Sequence, residues 1–218
     1  RGPVGMALAH ALTRLAATTL PPDSLRVALL GDAPAGADRP IALSWGSRLI
    51  LERIGCWEGL PVTPITHIHV SQQRHFGRTL ISADDHAVEA LGYVVGYRDI
   101  VQRLQATPLP AVETHVQGWS VAPDAVQVQC SAGDHDGSLL VLAEGSGAAF
   151  AQETVKDYGQ SAVVCSIDTE LPHANTAWER FAPQGPLALL PFRDAHALVW
   201  TCATARATEL AQLDDAAF

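Results

Sequence analysis

Basic residues are scarce in this chain of 218 residues, which holds 14 lysines and arginines against 23 aspartates and glutamates. The basic residues are dispersed, whereas nucleic-acid binding needs clustered Lys and Arg side chains. Apolar runs long enough for a membrane-spanning helix, roughly 20 residues, are also lacking, and the sequence shows no secretory signal pattern. We therefore expect no nucleic-acid partner and no transmembrane span.

Cysteine is sparse as well, and its spacing excludes the common metal motifs. His67 and His69 have the i,i+2 spacing of a metal pair, but no third ligand lies nearby in the sequence, so we interpret them as surface or packing residues. We expect free, mostly buried thiols of a cytoplasmic protein and no metal site. The four cysteines form no C-x-x-C pair: Cys56, Cys130, Cys165 and Cys202.

Hydrophobic residues, in contrast, make up 48% of the chain and charged residues 17%, which predicts a globular protein with a substantial core. The length is enough for one large or two small domains. The predicted elements alternate between βα-like and strand-rich stretches, which favours two interleaved layers over two domains in tandem. They are helices over 4–17, 45–54 and 98–104, strands over 66–71 and 78–81, a meander from 112–116, 119–121 and 126–130, a buried strand over 139–143, and four strands between 158 and 201 followed by a helix.

The chain opens with Gly2-Pro3-Val4-Gly5 and an Ala/Leu-rich helical pattern. This resembles the last two-thirds of G-x-G-x-x-G, in which a glycine turn and a helix N-terminus face a pyrophosphate. A predicted strand over 25–30 ends at Gly31-Asp32, where a dinucleotide fold binds a ribose hydroxyl; the alternative is that Asp32 caps a turn. Since the first glycine and its strand do not precede Gly2, either the resemblance is accidental or the chain is a piece of a larger protein.

Six segments in order resemble one protein family. Taken together, they are similar to the flavin-dependent aromatic hydroxylases of ubiquinone biosynthesis, of the 2-polyprenyl-6-methoxyphenol hydroxylase type. The similarity extends over essentially the whole chain. The segments are GPVGMALAHAL, DRPIALSWGSRLILERIGCW, HIHVSQQRHFGRTLI, LGYVVGYRDIVQRL, DYGQSAVV and TAWERFAPQGPLALLPF.

The resemblance implies an α/β fold in which a Rossmann-like FAD-binding domain is interleaved with a mixed β-sheet substrate domain, as in para-hydroxybenzoate hydroxylase. Residues 1–60 and 92–150 are expected to form the FAD-binding part, and residues 61–91 and 151–218 the substrate domain. NAD(P)H is expected to reduce the FAD, and molecular oxygen to supply the atom transferred to a phenol ring. In such an enzyme the protein positions flavin and ring and excludes water.

The resemblance also assigns residues to FAD. The opening glycine turn would line the pyrophosphate, and Asp32 would bind the adenosine ribose, although Gly31 stands where many relatives have their acid. Arg98 would approach FAD from the next helix, with an exposed helix arginine as the alternative. Glu144 replaces the family's Asp before Gly145, which leaves its contact open. The expected cofactor-binding residues are Gly2, Pro3, Val4, Gly5, Asp32, Arg39, Arg98, Glu144 and Gly145.

The expected substrate is a polyprenyl phenol, which offers one or two polar groups and a long hydrocarbon tail. An apolar pocket lined by Trp178, Phe181, Leu189 and Phe192 would suit it, with ordinary core packing as the alternative. No catalytic residue is assigned. We expect a cytoplasmic protein, with peripheral contact to the inner membrane and a complex of ubiquinone-biosynthesis proteins as open alternatives.

The family continues beyond the position of residue 218, with a second flavin-binding stretch. We therefore expect a fragment shortened at both ends, inactive by itself and holding FAD weakly or not at all. Two other functions stay open. One is a non-catalytic relative that binds an isoprenoid phenol or a protein partner, which flavin absorbance would distinguish. The other is a flavin hydroxylase of another aromatic, which substrate trials would distinguish.

Overall fold

The computed structural model describes residues 1–34, 38–143, 145 and 154–218. The helices are α1 (Pro3–Thr19), α2 (Trp45–Arg53), α3 (Tyr97–Gln105) and α4 (Thr204–Leu210). The strands are β1 (Leu29–Gly31), β2 (Pro40–Ser44), β3 (Thr63–Ile65), β4 (His67–Gln72), β5 (Arg78–Ser82), β6 (Gly92–Gly96), β7 (Ala111–Glu113), β8 (Val116–Ala122), β9 (Ala125–Cys130), β10 (His135–Gly137), β11 (Gln160–Ile167), β12 (Thr176–Ala182), β13 (Gly185–Phe192) and β14 (Ala195–Ala203). None of the helices in the described ranges is long and apolar enough to cross a membrane.

The chain divides into two interleaved units. Unit 1 consists of Arg1–Ala37, Ile50–Gly59 and Arg98–Thr154, and unit 2 of Asp38–Leu49, Leu60–Tyr97 and Val155–Phe218. Segments 38–49 and 92–97 belong to unit 2, whereas the sequence placed them with the FAD-binding part. Their place follows from pairing, since β2 and β6 form an antiparallel ladder with each other and β6 also pairs with β3.

Helix α1 of unit 1 follows from its local sequence. Pro3 occupies the first turn, where its missing N–H costs no hydrogen bond, and Ala and Leu residues continue the helix. The helix ends at Thr19, before two prolines that cannot continue it. About two turns into the helix, the ring of His10 is buried, and its Nε2 lies 2.7 Å from the carbonyl oxygen of Leu104. This contact holds α1 beside the end of α3.

Two sheets of unit 1 differ from the predicted ones. Strand β7 pairs with β1 in parallel and does not join the meander, which is β8–β9–β10. The prediction of a first meander strand over 112–116 was therefore wrong: residues 111–113 pair with β1, and Val116 already belongs to β8, which pairs with β9. Residues 139–143 are not a strand either, and Leu139 is 80% exposed. In the described residues β1 and β7 pair only with each other, so residues 139–143 join neither strand, although each strand keeps a free edge.

Unit 2 contains a six-stranded sheet with the order β11-β14-β13-β12-β4-β5 and a three-stranded sheet with the order β2-β6-β3. A core cluster connects the two sheets, and a second cluster lies under α4. The first consists of Ile65, Val94 and Ala177 with Ile68, Leu190 and Phe192 packed against it. The second consists of Cys202, Ala207 and Leu210 with Val163 and Trp200.

Candidate functional site

The carboxyl ends of β1 and β7 form one edge of unit 1. The two strands pair in parallel with Gly31 opposite Glu113, so the residues that follow each strand leave from the same side. Ligands of open parallel α/β sheets bind outside such carboxyl ends. The residues after β1 and β7, together with the start of α1, are therefore the candidate site.

Asp32 is the centre of this edge. Its Oδ2 lies 3.2 Å from Nδ1 of His115, and both side chains are about 70% exposed. The backbone carbonyl of Asp32 accepts a hydrogen bond of 2.7 Å from the backbone nitrogen of Arg1. The guanidinium of Arg1 in turn lies 3.1 Å from the carboxylate of Glu113. The exposed Asp32 carboxylate is thus available to an incoming hydroxyl group.

Sequence reasoning missed Glu113 and His115, which come to the edge only because β7 pairs with β1. The turn after β7 is held by Thr114, which is 4% exposed and whose Oγ1 lies 3.2 Å from Oγ of Ser131. Ser131 also accepts a 3.0 Å hydrogen bond from the backbone N–H of His115. The signal in the sequence was Glu113 at the end of a short apolar run, the same pattern that indicated Asp32.

The N-terminus of α1 contributes unpaired backbone donors to the same unit. Gly2 caps the helix in an extended conformation, and the first turn contains no acidic residue. The first N–H groups of a helix have no partner within it, and together with the helix dipole they favour an anion. Nothing lies within 4 Å of the position that a Cβ of Gly2 would take. The backbone here is open to a ligand.

Gly5 has a different role from Gly2, because its lack of a side chain allows α1 to pack closely against the sheet. A Cβ at this position would lie 3.4 Å from Cδ1 of Leu29 and 3.5 Å from Cβ of Ala143. One carbon fits at ordinary contact distance, whereas the two further carbons of valine do not. This is the close helix–strand packing that the third glycine of a dinucleotide motif permits.

We expect Gly5→Val to lower the free energy of unfolding by about 2 kcal/mol through overpacking. Gly5→Ala is expected to change it by less than about 1 kcal/mol, because its methyl group fits and alanine favours helix. Urea unfolding followed by circular dichroism measures both, with Gly2→Ala as the control at an open position. Equal losses for Val and Ala at position 5 would contradict the packing.

The other residues assigned to FAD are distributed over both units. Arg39 belongs to unit 2, where its guanidinium lies 5.2 Å from the centre of the Tyr97 ring. Arg98 lies in the first turn of α3 within unit 1. Gly145 has a φ of +81°, and Glu144 lies outside the described residues. Their contacts with FAD stay a prediction.

The structure places the four expected pocket residues on two faces of the six-stranded sheet. Trp178 pairs directly with Leu189, so these two share a face. Phe181 is three residues from Trp178, and Phe192 is three residues from Leu189. Because side chains alternate along a strand, this odd spacing places Phe181 and Phe192 on the opposite face. Trp178 packs against the ring of His69, with 4.6 Å between the ring centres. The four residues therefore do not line one surface.

Glu179 lies on the face that carries Phe181 and Phe192. Its register partners are Val70 of β4 and Ala188 of β13, both small apolar side chains. Burial among these neighbours raises the pKa of the Glu179 carboxyl. The strand register assigns every residue of the six strands, all of which are described, to one of the two faces. Glu179 is the one titratable side chain that these strands place on this face. The face is thus apolar with one carboxyl group near its middle.

Comparison with curated proteins identifies relatives. The chain is 30% identical over 215 residues to "Ubiquinone biosynthesis monooxygenase COQ6, mitochondrial" of Rattus norvegicus, which covers 84% of this chain and 43% of the relative. It is 26% identical over 189 residues to "3-demethoxyubiquinol 3-hydroxylase" of Escherichia coli K12, covering 79% of this chain and 48% of the relative. The chain thus spans less than half the length of these relatives. No family model matches it.

Solved structures show the same fold. Klebsiella pneumoniae HpxO complexed with FAD and uric acid superposes with a TM-score of 0.70 at 13% identity, covering 92% of this chain and 54% of that one. Pseudomonas aeruginosa PqsL superposes with a TM-score of 0.69 at 16% identity, covering 96% and 60%. The predicted interleaved α/β fold is confirmed by these neighbours. By sequence and by fold, the chain belongs to the ubiquinone-biosynthesis family of FAD-dependent hydroxylases.

Proposed function

We propose that this protein is an FAD-dependent monooxygenase that hydroxylates the aromatic ring of a polyprenyl phenol in ubiquinone biosynthesis. The observation that carries the proposal is the 30% identity to a ubiquinone-biosynthesis monooxygenase over 84% of the chain. NAD(P)H is the proposed electron donor. Peripheral membrane contact and assembly with other ubiquinone-biosynthesis proteins are proposed with it, because a polyprenyl tail partitions into lipid.

The residues at the edge of unit 1 fit the adenosine and pyrophosphate parts of FAD. The open backbone at Gly2 and the free N–H groups of the first turn of α1 would hold the pyrophosphate. The Asp32 carboxylate would accept hydrogen bonds from the ribose hydroxyls, and His115 beside it would orient that carboxylate. FAD, when bound, supplies the redox chemistry that activates oxygen.

The six-stranded sheet supports the substrate part of the proposal. On the face that carries Phe181, the part around Phe181 and Glu179 would bind the ring and the first part of the tail, whereas Phe192 packs against the core cluster. The apolar side chains of this part would exclude water from the ring. The Glu179 carboxylate would accept a hydrogen bond from the phenol hydroxyl, since it is the titratable group on that face. A hydrogen bond to a charged acceptor places electron density on the phenol oxygen and orients the ring.

The cofactor assignment is tested with Asp32→Ala in the longest encoded form of the protein. Loss of a hydrogen bond to a charged group costs about 1.5–3 kcal/mol, so we expect FAD affinity to fall by a factor of about 10 or more. Quenching of flavin fluorescence during titration measures the dissociation constant. The matched control is Asp124→Ala, an exposed acid in the turn between β8 and β9 of the same unit.

Equal FAD affinity in the Asp32 and Asp124 variants would contradict the placement of the ribose. A purified long form with neither flavin absorbance nor FAD binding would contradict the proposed function as a whole, and would favour the non-catalytic alternative.

A further inference from the structure

One end of the six-stranded sheet concentrates the positive charge that the chain as a whole lacks. Segments 71–80 and 180–189 contain three arginines and no Asp or Glu, in a chain with 14 basic and 23 acidic residues. The two segments meet because β4 and β12 run parallel, and the backbone N–H of Gln73 donates to the carbonyl oxygen of Phe181 at 2.8 Å. These two segments of unit 2 therefore carry a net positive charge in a chain that is acidic overall, and Glu179, which precedes Arg180, lies on the opposite face of the strand.

Two of the arginines lie in one row across the sheet. Arg180 of β12 is opposite Ser71 of β4, and Ser71 is opposite Arg78 of β5, so all three share a face. Both arginines are exposed, and neither forms a salt bridge within the described part of the chain. Two strand spacings separate them by roughly 10 Å. That distance suits two separate anionic groups better than the oxygens of one phosphate.

Exposed aromatic and aliphatic side chains accompany this charge. In the next row of the same face, Trp178 is 44% exposed and Leu80 is 60% exposed. Phe76, in the turn between β4 and β5, is fully exposed beside Arg74. Exposure of a phenylalanine ring to water at a turn is energetically unfavourable. Trp, Phe and Arg side chains together are instead typical of the boundary between lipid headgroups and acyl chains.

We propose that this surface binds the face of an anionic lipid bilayer. The docking face consists of Arg74, Phe76, Arg78, Leu80, Trp178 and Arg180. Its arginines contact lipid phosphates, and Phe76 and Trp178 enter the headgroup region. The charge of this face complements that of the lipid: in a chain of net charge −9, its two segments contain three arginines and no acidic residue. The proposal deepens the proposed function, since a polyprenyl substrate resides in such a bilayer.

The test is flotation of the purified longest encoded form of the protein with vesicles of phosphatidylcholine alone and of phosphatidylcholine with 30% phosphatidylglycerol. We expect binding to the anionic vesicles only, and its loss when sodium chloride rises from 50 to 500 mM. Each arginine near an anionic surface contributes about fivefold, so Arg74→Gln/Arg78→Gln/Arg180→Gln should weaken binding on the order of 100-fold. Phe76→Ser alone should weaken it roughly tenfold.

The matched control removes three exposed arginines of unit 1, Arg14→Gln/Arg26→Gln/Arg53→Gln, and should bind as the unaltered chain does. It changes the net charge by the same amount, so it separates the docking face from charge in general. Circular dichroism checks that each variant is folded. The dependence on lipid charge and salt tests the proposal on the unaltered chain even if the triple variant fails to fold.

Equal binding by the two triple variants would overturn the proposal, as would equal binding to neutral and anionic vesicles. A second copy of the chain on this face is the rival occupant. Analytical sedimentation tests this. If the unaltered chain is a dimer and the triple arginine variant of the docking face is a monomer, the proposal is overturned in favour of a dimer interface on this face. The vesicles contain neither phenol nor flavin, so failure of vesicle binding leaves the hydroxylase proposal intact. Likewise, absence of FAD binding or hydroxylation leaves the membrane-docking proposal intact.

Discussion

Gly185→Ala is expected to lower the free energy of unfolding by about 4 kcal/mol or more, which combines overpacking with backbone strain. Gly185 begins β13 with a φ of +121°, a conformation that residues with a Cβ rarely adopt. A Cβ there would lie 1.8 Å from the carbonyl oxygen of Thr201 in β14. Backbone atoms cannot move aside as a flexible side chain can, so the β13–β14 ladder would have to open. Urea unfolding followed by tryptophan fluorescence measures the loss.

Gly77→Ala is the matched control for this prediction. Gly77 has a similar φ of +113°, but nothing lies within 4 Å of the position of its Cβ. Its substitution therefore reports backbone strain alone, about 1–3 kcal/mol. If the two variants lose the same stability, the close approach of β13 and β14 at Gly185 is not what destabilises the sheet.

Affinity for phenols is expected to rise steeply with the length of the prenyl tail. Burial of hydrocarbon contributes about 0.8 kcal/mol per CH2 group, so each five-carbon isoprene unit that is fully buried should tighten binding by more than about 100-fold. The gain should stop at the unit that reaches solvent or lipid. Isothermal titration of the longest encoded form with phenols of zero to four isoprene units measures it. A flat response would favour hydroxylation of another aromatic.

The two faces of the sheet provide the control for the tail series. Phe181→Ala should reduce the gain per isoprene unit, because Phe181 lies on the proposed substrate face. Trp178→Ala removes an aromatic ring of the opposite face and should leave the gain unchanged. Both side chains are nearly equally exposed, 48% and 44%, so the two substitutions remove comparable apolar surface. If Trp178→Ala has the larger effect, the substrate binds the other face.

Elements with a strong local signal were predicted well from the sequence. Helix α1 was expected over 4–17 and spans Pro3–Thr19, because Pro3 and the following Ala/Leu run favour it without help from tertiary contacts. Strand β4 was expected over 66–71 and spans His67–Gln72, since its apolar residues alternate. In both cases the period of the side chains determines the element.

The failures concern pairing between distant segments. Residues 139–143 have the apolar run of a buried strand, yet they pair with no strand in the described part of the chain, and a local run does not specify pairing with a distant segment. The candidate site divides in the same way. Gly2, Gly5 and Asp32 follow from a local motif, whereas His115 reaches Asp32 only through the parallel pairing of β1 with β7. The split of Trp178 and Phe181 between two faces could have been predicted, because their odd spacing within one strand is visible in the sequence.

The parallel pairing of β4 with β12 also affects how the protein is made. His67 pairs with Thr176, which follows it by 109 residues, so at a synthesis rate of about 5–20 residues per second β12 leaves the ribosome roughly 5–20 seconds after β4. During this interval the β4–β5 hairpin exists without its neighbour, and the edge of β4 that later meets β12 presents unpaired N–H and C=O groups. The nascent chain therefore passes through a stage in which the unpaired edge of β4 is exposed and can be bound by a chaperone. Faster translation between residues 72 and 176 shortens this stage.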